Sequence, residues 1–292
     1  MPPTNTLISL SDFNLFYAKA NSSKGTHVKI LYTTMRDGPG LKPDIVRSHS
    51  NSYIPKSILF DFQVQFADPQ SELSNTMVDI HKFANEADSL GIQNTDTLII
   101  YDDYGNFCAS RVWFMFKSMG HKDVRVLDGG LPGYLRAGLP TQDALHTPVA
   151  NLKSTYTCVL DPAFSFVGKD FINNNLQAKT TTVLDARSEE RFLGLSPETK
   201  PNVRAGHIPN SNSIHYVNIQ DEHGHFLPLQ ALKEVFDPYK GAPLAFTCGS
   251  GVTACILAQA AYIAGINEIK VYDGSWSQWG ADSSLPLSTG NT

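Results

Sequence analysis

Cysteine is scarce in this sequence, with four residues in a chain of 292. Cys108, Cys158, Cys248 and Cys255 are too few and too widely spaced for the disulfide framework of a small secreted domain. An excess of positive charge is also missing, because the formal net charge is −5. Nothing in the composition therefore indicates nucleic-acid binding. We expect a protein of a reducing compartment, in which a thiol stays available for chemistry.

Long hydrophobic runs are missing as well. The first residues, MPPTNTLISLSDF, lack the basic start and the apolar core of a signal peptide. The longest apolar helix candidate, 254–266, contains Gln259 and is too short to cross a bilayer. We therefore expect a cytoplasmic protein without membrane contact.

Two segments of the chain resemble each other and indicate an internal repeat. They are DTLIIYDDYGNFCASRVWFMFKSMGHKDVRVLDGGLPGY at 96–134 and APLAFTCGSGVTACILAQAAYIAGINEIKVYDGSWSQW at 242–279. Each has the pattern of a strand, a loop, a helix, a short strand and Asp-Gly. Asp103 precedes the Asp of its Asp-Gly pair by 25 positions, and Cys248 precedes the other by the same distance. Asp103 therefore occupies in the first copy the place of Cys248 in the second.

The repeat also predicts the fold. A repeat of this length indicates two copies of one α/β unit. Alternating short apolar strands and amphipathic helices favour parallel sheets with helices on both faces. A polar stretch rich in Thr and Pro, around 141–161, has the composition of a linker. The sequence predicts a non-catalytic domain at 1–143, a linker at 144–160 and a catalytic domain at 161–292.

Cys248 follows an apolar strand and precedes a short uncharged loop. Gly249 and Gly251 let this loop take conformations closed to other residues, so several N–H groups can point towards the sulfur. These donors, with the positive end of a helix that begins near Thr253, would stabilise a thiolate. Ser250 adds a hydroxyl donor without adding charge. The pattern favours a nucleophilic cysteine, with a small core residue as the alternative.

Two other motifs resemble this loop and explain it less well. GSGVTA, at 249–254, fits the dinucleotide fingerprint G-x-G-x-x-A. About one strand follows the helix, however, which is too little for a dinucleotide-binding sheet. A cysteine phosphatase needs an arginine at the end of the loop to bind phosphate, and this chain has Ala254 there.

Several segments carry a resemblance to a known family. They are LDAR at 184–187, RF-G at 191–194, GHIPNS at 206–211, CGSGVTA at 248–254 and YDGSWSQWG at 272–280. With the repeat, the sequence resembles the two-domain rhodanese family of sulfurtransferases, and within it the 3-mercaptopyruvate sulfurtransferases. Thiosulfate-using relatives carry basic residues just after the cysteine, where this chain has Gly249 and Ser250. The resemblance implies an α/β fold of two tandem rhodanese-like domains and favours mercaptopyruvate as the donor.

The resemblance also implies a reaction and a set of site residues. Cys248 would attack the sulfur of the donor and become a persulfide, pyruvate would leave, and an acceptor thiol would take the outer sulfur. Ser250 is the second catalytic candidate. Arg191 would bind the substrate carboxylate as a fork, and Lys200 stands where the family has a second arginine. The predicted substrate-binding set is Arg191, Lys200, Gly249, Gly251, Val252 and Thr253.

Two first-domain positions depart from the family pattern. The family supplies an Asp and a His thought to relay protons to the loop serine. Gln63 takes the place of that Asp, and the stretch 74–78, which contains Asn75, has no histidine. The proton relay through Ser250 is therefore left open. Arg204 is the alternative to Lys200 as a second cation, and Arg187 is expected to form a structural ion pair.

No cofactor and no metal are expected. His223 and His225, in DEHGHF, have no further ligand cluster and favour a solvated turn over a metal pair. The expected partners are a small-molecule sulfur donor and a thiol acceptor such as thioredoxin or a small thiol. Two alternatives to mercaptopyruvate turnover stay open: a thiosulfate sulfurtransferase, and a persulfide-carrying sulfur-relay module with low turnover.

Overall fold

The computed structural model describes residues 6–22, 27–36, 51–148 and 155–290. The first half contains β1 (Leu7–Ile8), α1 (Leu10–Ser22), β2 (Val28–Thr33), β3 (Ile58–Leu59), α2 (Ile80–Ser89), β4 (Thr97–Asp102), α3 (Ala109–Ser118), β5 (Val124–Leu127) and α4 (Gly130–Arg136). The second half contains β6 (Phe164–Val167), α5 (Lys169–Ala178), β7 (Thr182–Asp185), α6 (Glu189–Phe192), β8 (Ser211–Ser213), α7 (Leu229–Phe236), β9 (Leu244–Thr247), α8 (Ala254–Ile263), β10 (Ile269–Tyr272) and α9 (Ser275–Trp279).

Two parallel five-stranded sheets confirm the predicted α/β fold. Their strand orders are β1-β5-β4-β2-β3 and β6-β10-β9-β7-β8, so the two sheets match strand for strand. Every pairing between these strands is parallel. The predicted domain bounds stay a prediction, and part of the predicted linker, 149–154, lies outside the described residues.

The central strands explain where the loops of interest lie. In β4 all residues but the first are buried, and β9 is buried throughout. Continuous apolar runs of this kind are typical of parallel strands covered on both faces. Both strands end at a loop that leads into a helix, α3 after β4 and α8 after β9. In such sheets ligands bind outside the carboxyl ends of the strands, and Cys248 follows β9 at that edge.

Helices α3 and α8 pack against each other and join the two halves. Eight of the ten residues of α8 and nine of the ten residues of α3 are buried. A helix buried on all sides is covered both by its own sheet and by a second element, here the other helix. Ser110 on α3 donates to the Gln259 amide oxygen on α8 at 2.8 Å. The one polar residue in the predicted apolar helix therefore makes a buried contact between the halves.

No helix in these described ranges is long and apolar enough to cross a membrane.

Candidate active site

Cys248 lies at the carboxyl end of β9, on the floor of a cleft of about 340 Å³. Its side chain is almost fully buried, with 2% exposed. The Gly251 N–H donates to Cys248 Sγ at 3.1 Å. Helix α8 begins at Ala254, as predicted, so its positive end lies just beyond the loop. The loop therefore places an N–H donor and a helix N-terminus at the sulfur.

Gly251 cannot be replaced without cost, because its backbone has φ +78°. An added Cβ would lie 2.7 Å from the Asp273 carbonyl oxygen and 3.2 Å from Arg111 Nη1. Gly251 is a buried residue of this loop, and it contributes to the site the N–H that donates to Cys248 Sγ. The glycine in CGSG is thus required both by the left-handed conformation and by the close approach of Asp273.

The cleft lies between the two halves of the chain, and both line it. Five of its residues come from the first half: Met35, Gln63, Ser74, Asn75 and Phe107. The remainder come from the second half: Arg191, Glu198, Thr199, Lys200, Val203, Cys248, Gly249, Ser250, Val252, Thr253 and Ser277. Apart from Gly251, every predicted site residue lines this one cleft. Glu198 and Ser277 also line the cleft and were not among the predicted site residues.

Arg191 lies on α6 with its guanidinium over the loop. A Cβ added to Gly249 would lie 3.3 Å from Arg191 Nη2. The same Nη2 pairs with Glu198 Oε2 at 2.5 Å, which fixes the direction of the guanidinium. Arg191 Nε is buried and has no hydrogen-bond partner in the described part of the chain. The Arg191 side chain as a whole is 27% exposed and lines the cleft, so its guanidinium charge can act on an anion there.

Lys200 also lines the cleft, and its Nζ donates to Ser74 Oγ in the first half at 3.1 Å. Arg204 lies elsewhere and donates to four carbonyl oxygens: those of Trp279, Gly280, Asp282 and Leu285. The structure therefore places Lys200, and not Arg204, beside Cys248.

Arg187 makes the structural ion pairs expected from the sequence. Its guanidinium pairs with Asp185 at 2.7 Å and with Glu198 at 2.8 Å, and it lies over the Trp276 ring. Glu198 thus bridges Arg187 and Arg191, so a buried cation outside the cleft helps to orient the cation inside it.

Ser250 contacts Asn75 directly and Gln63 through Asn75, the two first-half residues that depart from the family pattern. Asn75 Nδ2 lies 3.4 Å from both the Oγ and the carbonyl oxygen of Ser250. Gln63 Nε2 donates to Asn75 Oδ1 at 3.2 Å. The positions without Asp and His therefore still form a hydrogen-bonded path to the loop serine, made of carboxamides.

Arg111, on α3 of the first half, lies beneath the loop and was not indicated by any motif. It is fully buried, and its Nη1 donates to the Gly251 carbonyl at 3.2 Å. Its Nη2 donates to the Asn75 carbonyl at 2.6 Å and lies 2.7 Å from Asp273 Oδ1. Burial is the largest single influence and lowers the pKa of the Arg111 guanidinium, but Asp273 and Cys255 together outweigh burial and raise the pKa above its ordinary value. A charged residue within an otherwise apolar helix was the available sequence signal.

The other cysteines have the structural positions expected for them. Cys255 and Cys108 are fully buried and Cys158 is half-buried. Burial raises the pKa of the Cys255 thiol to about 12 and that of Cys158 to about 11, and it raises the pKa of Cys108 as well. These thiols are therefore poor nucleophiles at neutral pH.

The loop after β4 in the first half encloses a carboxylate of the chain itself. Asp102 Oδ2 accepts the N–H groups of Phe107, Cys108 and Ala109 at 2.7–2.8 Å, and Oδ1 accepts those of Tyr104 and Asn106. Such a concave set of N–H donors is an anion-binding nest. In this copy the nest is filled internally.

The two histidines of the DEHGHF turn each lie near one carboxylate. His225 Nδ1 lies 3.4 Å from Asp128 in the first half. No group of three or more potential ligands occurs in the described ranges.

Comparisons with known proteins agree with this architecture. The family model described as Rhodanese-like domain matches residues 45–137 and 169–282, one match in each half. The chain belongs to the rhodanese family, in its two-domain form of sulfurtransferases.

Individual relatives have the same arrangement. The 3-mercaptopyruvate sulfurtransferase of Homo sapiens is 35% identical over 246 residues, covering 82% of this chain and 81% of that protein. The mitochondrial thiosulfate/3-mercaptopyruvate sulfurtransferase 1 of Arabidopsis thaliana is 33% identical over 262 residues, covering 83% and 69%. Among solved structures, SseA from Escherichia coli, described as a 3-mercaptopyruvate sulfotransferase, is similar to this chain with a TM-score of 0.75 at 25% identity. The match covers 94% of this chain and 99% of that one.

Proposed function

We propose that this sulfurtransferase moves the sulfur of 3-mercaptopyruvate to a thiol acceptor through a persulfide on Cys248. The observation that carries the proposal is the position of the Cys248 thiol. It lies on the floor of the one cleft that gathers both predicted cations, and Gly251 N–H donates to its sulfur at 3.1 Å. A thiolate at this place is stabilised by the Gly251 N–H and shares the cleft with the two cations, Arg191 and Lys200, that can bind an anionic substrate.

The reaction proceeds by attack on sulfur. The Cys248 thiolate attacks the sulfur of the mercaptopyruvate thiol, a sulfur–sulfur bond forms and the carbon–sulfur bond of the donor breaks. The electron pair of the broken bond remains on carbon as the enolate of pyruvate, which takes the proton released by the donor thiol. An acceptor thiolate then attacks the outer sulfur and leaves as a persulfide, and the Cys248 thiolate is regenerated. No external oxidant or reductant is needed.

Arg191 and Lys200 supply the positive charge for the substrate carboxylate. The Arg191 side chain is 27% exposed, and the orientation of its guanidinium is fixed by Glu198. Lys200 lines the same cleft and contributes a point charge. A small carboxylate held between them would bring its thiol to the cleft floor.

The loop residues Gly249, Ser250, Val252 and Thr253 favour mercaptopyruvate over thiosulfate. They line the cleft around Cys248 and carry no charge. Thiosulfate carries two negative charges in a compact group, so its binding would benefit from cations directly at the loop. The Arabidopsis relative is named for both donors, and thiosulfate is therefore the donor to compare.

For the acceptor we propose thioredoxin or a small thiol, and for the location the cytoplasm. The buried position of Cys248 means that an acceptor must present its thiol inside the cleft, which suits a small molecule or a narrow protruding loop. One relative is mitochondrial, so location is tested directly, by fractionation of cells that produce the tagged protein.

The test is pyruvate release from 3-mercaptopyruvate with dithiothreitol as acceptor, for the wild type and Cys248→Ser, together with intact mass after donor alone. We expect rapid pyruvate release, its loss in Cys248→Ser, and a mass gain of about 32 Da, the single sulfur of a covalent intermediate. Cys255→Ser is the matched control and should gain the same mass. Turnover of thiosulfate alone would assign the alternative donor, and no mass gain with either donor would overturn the proposal.

A further inference from the structure

A chain of neutral polar groups connects the first half of the protein to Ser250. The Arg36 backbone N–H donates to Gln63 Oε1 at 2.8 Å. Gln63 Nε2 donates to Asn75 Oδ1 at 3.2 Å, and Asn75 Nδ2 lies 3.4 Å from Ser250 Oγ. These groups are a backbone amide, two carboxamides and a hydroxyl, and none of them gains or loses a proton between pH 5 and 8.

The Arg36 N–H, the first donor of this hydrogen-bonded series, fixes the direction of every hydrogen bond that follows it. A backbone N–H can only donate, so the group of Gln63 that faces Arg36 is the carboxamide oxygen. The Gln63 NH₂ therefore faces Asn75, whose oxygen must accept. The remaining Asn75 NH₂ then donates to Ser250 Oγ. Because Ser250 Oγ is the acceptor, its single hydrogen is left to point away from Asn75.

Asn75 is held firmly enough to maintain this direction. It is buried, with 4% exposed, and has φ +71°, a conformation that asparagine tolerates better than most residues. Arg111 Nη2 donates to its carbonyl oxygen at 2.6 Å. The backbone close by is held as well, since the Met77 N–H donates to Asp273 Oδ2 at 2.7 Å. The backbone around Asn75 is therefore fixed, and the Gln63 amide sets the direction of the Asn75 carboxamide.

We infer that Gln63 and Asn75 are positioning residues that keep the Ser250 hydroxyl a hydrogen-bond donor to the substrate in the cleft. This inference rests on the function proposed above. When the carbon–sulfur bond breaks, negative charge moves to the carbonyl oxygen of the departing pyruvate enolate. A donor aimed there stabilises that charge without reorganisation. Because a carboxamide does not accept a proton under these conditions, this chain orients Ser250 and does not deprotonate it.

Two substitutions reverse the donor-to-acceptor direction of these hydrogen bonds while nearly conserving the shapes of the side chains. Asn75→Asp replaces the NH₂ that faces Ser250 with an oxygen, which would draw the Ser250 hydrogen away from the cleft. Gln63→Glu removes the donor to Asn75 Oδ1, so the Asn75 carboxamide can invert with the same result. For each we expect kcat with 3-mercaptopyruvate to fall about 100- to 1,000-fold, the scale for loss of one oriented donor, with KM changed less than about threefold. Gln70→Glu, an exposed position on the same loop, adds the same charge and should leave both constants unchanged.

A double-mutant cycle separates positioning from a merely structural role. Once Ser250→Ala has removed the hydroxyl, adding Asn75→Asp should lower kcat less than about twofold further, because contacting residues are not additive. Additive losses, or unchanged kcat in both Asn75→Asp and Gln63→Glu, would overturn the inference. Cys248→Ser is measured in parallel. If it is inactive while the cycle is additive, the inference alone fails; if it is active, the proposed function fails.

Discussion

Arg111 and Asp273 lie 2.7 Å apart across the two halves of the chain, directly beneath the loop that carries Cys248. The guanidinium of Arg111 donates hydrogen bonds to the backbone carbonyl oxygens of Asn75 and Gly251. Asp273 Oδ1 itself has no aligned hydrogen bond in the described ranges. Its contact with the guanidinium is therefore a charge attraction. The Met77 N–H donates to the other oxygen of Asp273, and Arg111 supplies the positive charge that balances this carboxylate.

Removing Arg111 should destabilise the protein strongly. Arg111→Met leaves the Asp273 charge without its partner, and we expect the free energy of unfolding to fall by about 3–5 kcal/mol, measured by urea titration. The double variant Arg111→Met/Asp273→Asn removes both charges and should recover part of that loss. If the double variant were less stable than the single one, the attraction between the two groups would not be the cause.

Substitutions of Arg191 should change substrate binding more than stability. Glu198 keeps its contact with Arg187, so Arg191→Gln does not leave a buried carboxylate alone. We expect KM for 3-mercaptopyruvate to rise about 10- to 100-fold, the value of a charge-assisted hydrogen bond. The KM of Arg191→Lys should lie between those of the wild type and Arg191→Gln, since lysine keeps the positive charge but loses the forked guanidinium. Arg125→Gln, at a pair with Asp123 away from the cleft, is the control, and an equal KM in all variants would contradict the assignment.

Two glycines with positive φ separate conformational strain from steric clash. Gly251→Ala meets the Asp273 carbonyl at 2.7 Å, whereas Gly241, at φ +99°, has no atom within 4 Å of an added Cβ. Gly241→Ala should cost about 1–2 kcal/mol in the free energy of unfolding, the penalty for the left-handed conformation, and leave turnover intact. Gly251→Ala should cost more and abolish most activity. Equal stability losses, with activity retained in both, would show that the loop can move away from Asp273.

Stability should decrease as the pH falls through the histidine range. His121 is buried and contacts the Tyr156 hydroxyl and the Asp96 carbonyl, and burial lowers its pKa below the usual 6.5. A base with a lowered pKa in the folded state binds protons more tightly when unfolded. Its contribution is therefore complete above pH 6.5 and is lost as the pH falls below that value.

The measurement for this prediction is Tm between pH 7.5 and 5.5. His121→Gln should flatten the decrease without removing it, because burial also lowers the pKa of His207 and His215. The exposed residue His146 provides the control substitution, which should leave the slope unchanged. A wild-type Tm independent of pH over this range would contradict the prediction.

Local features of the site were predictable from the sequence because they depend on neighbouring residues. The strand ending before Cys248, the two glycines and the helix that begins at Ala254 all follow from one short segment. The repeat gave the two parallel sheets, since each copy carries its own apolar strands and turn signals. Arg191 and Lys200 were indicated by family resemblance alone, and the structure places both beside Cys248 in the cleft.

Contacts between the halves were not predictable, because they pair residues far apart in the chain. Arg111 reaches Gly251 from α3, and Asn75 reaches Ser250 from a loop of the first half. No periodicity or spacing relates such positions. Gln63 and Asn75 stand where the family has an acid and a base, and no pattern in the sequence indicates that their two carboxamides hydrogen-bond to each other.

The filled nest around Asp102 has a consequence for stoichiometry. The chain contains two loops of the same design, yet five backbone N–H groups of the first loop are already bound to the carboxylate of Asp102. An external anion would have to displace a group that is covalently attached and therefore always present. Under the proposed function, in which Cys248 of the second loop carries the sulfur, we therefore expect each chain to bind one sulfur and not two.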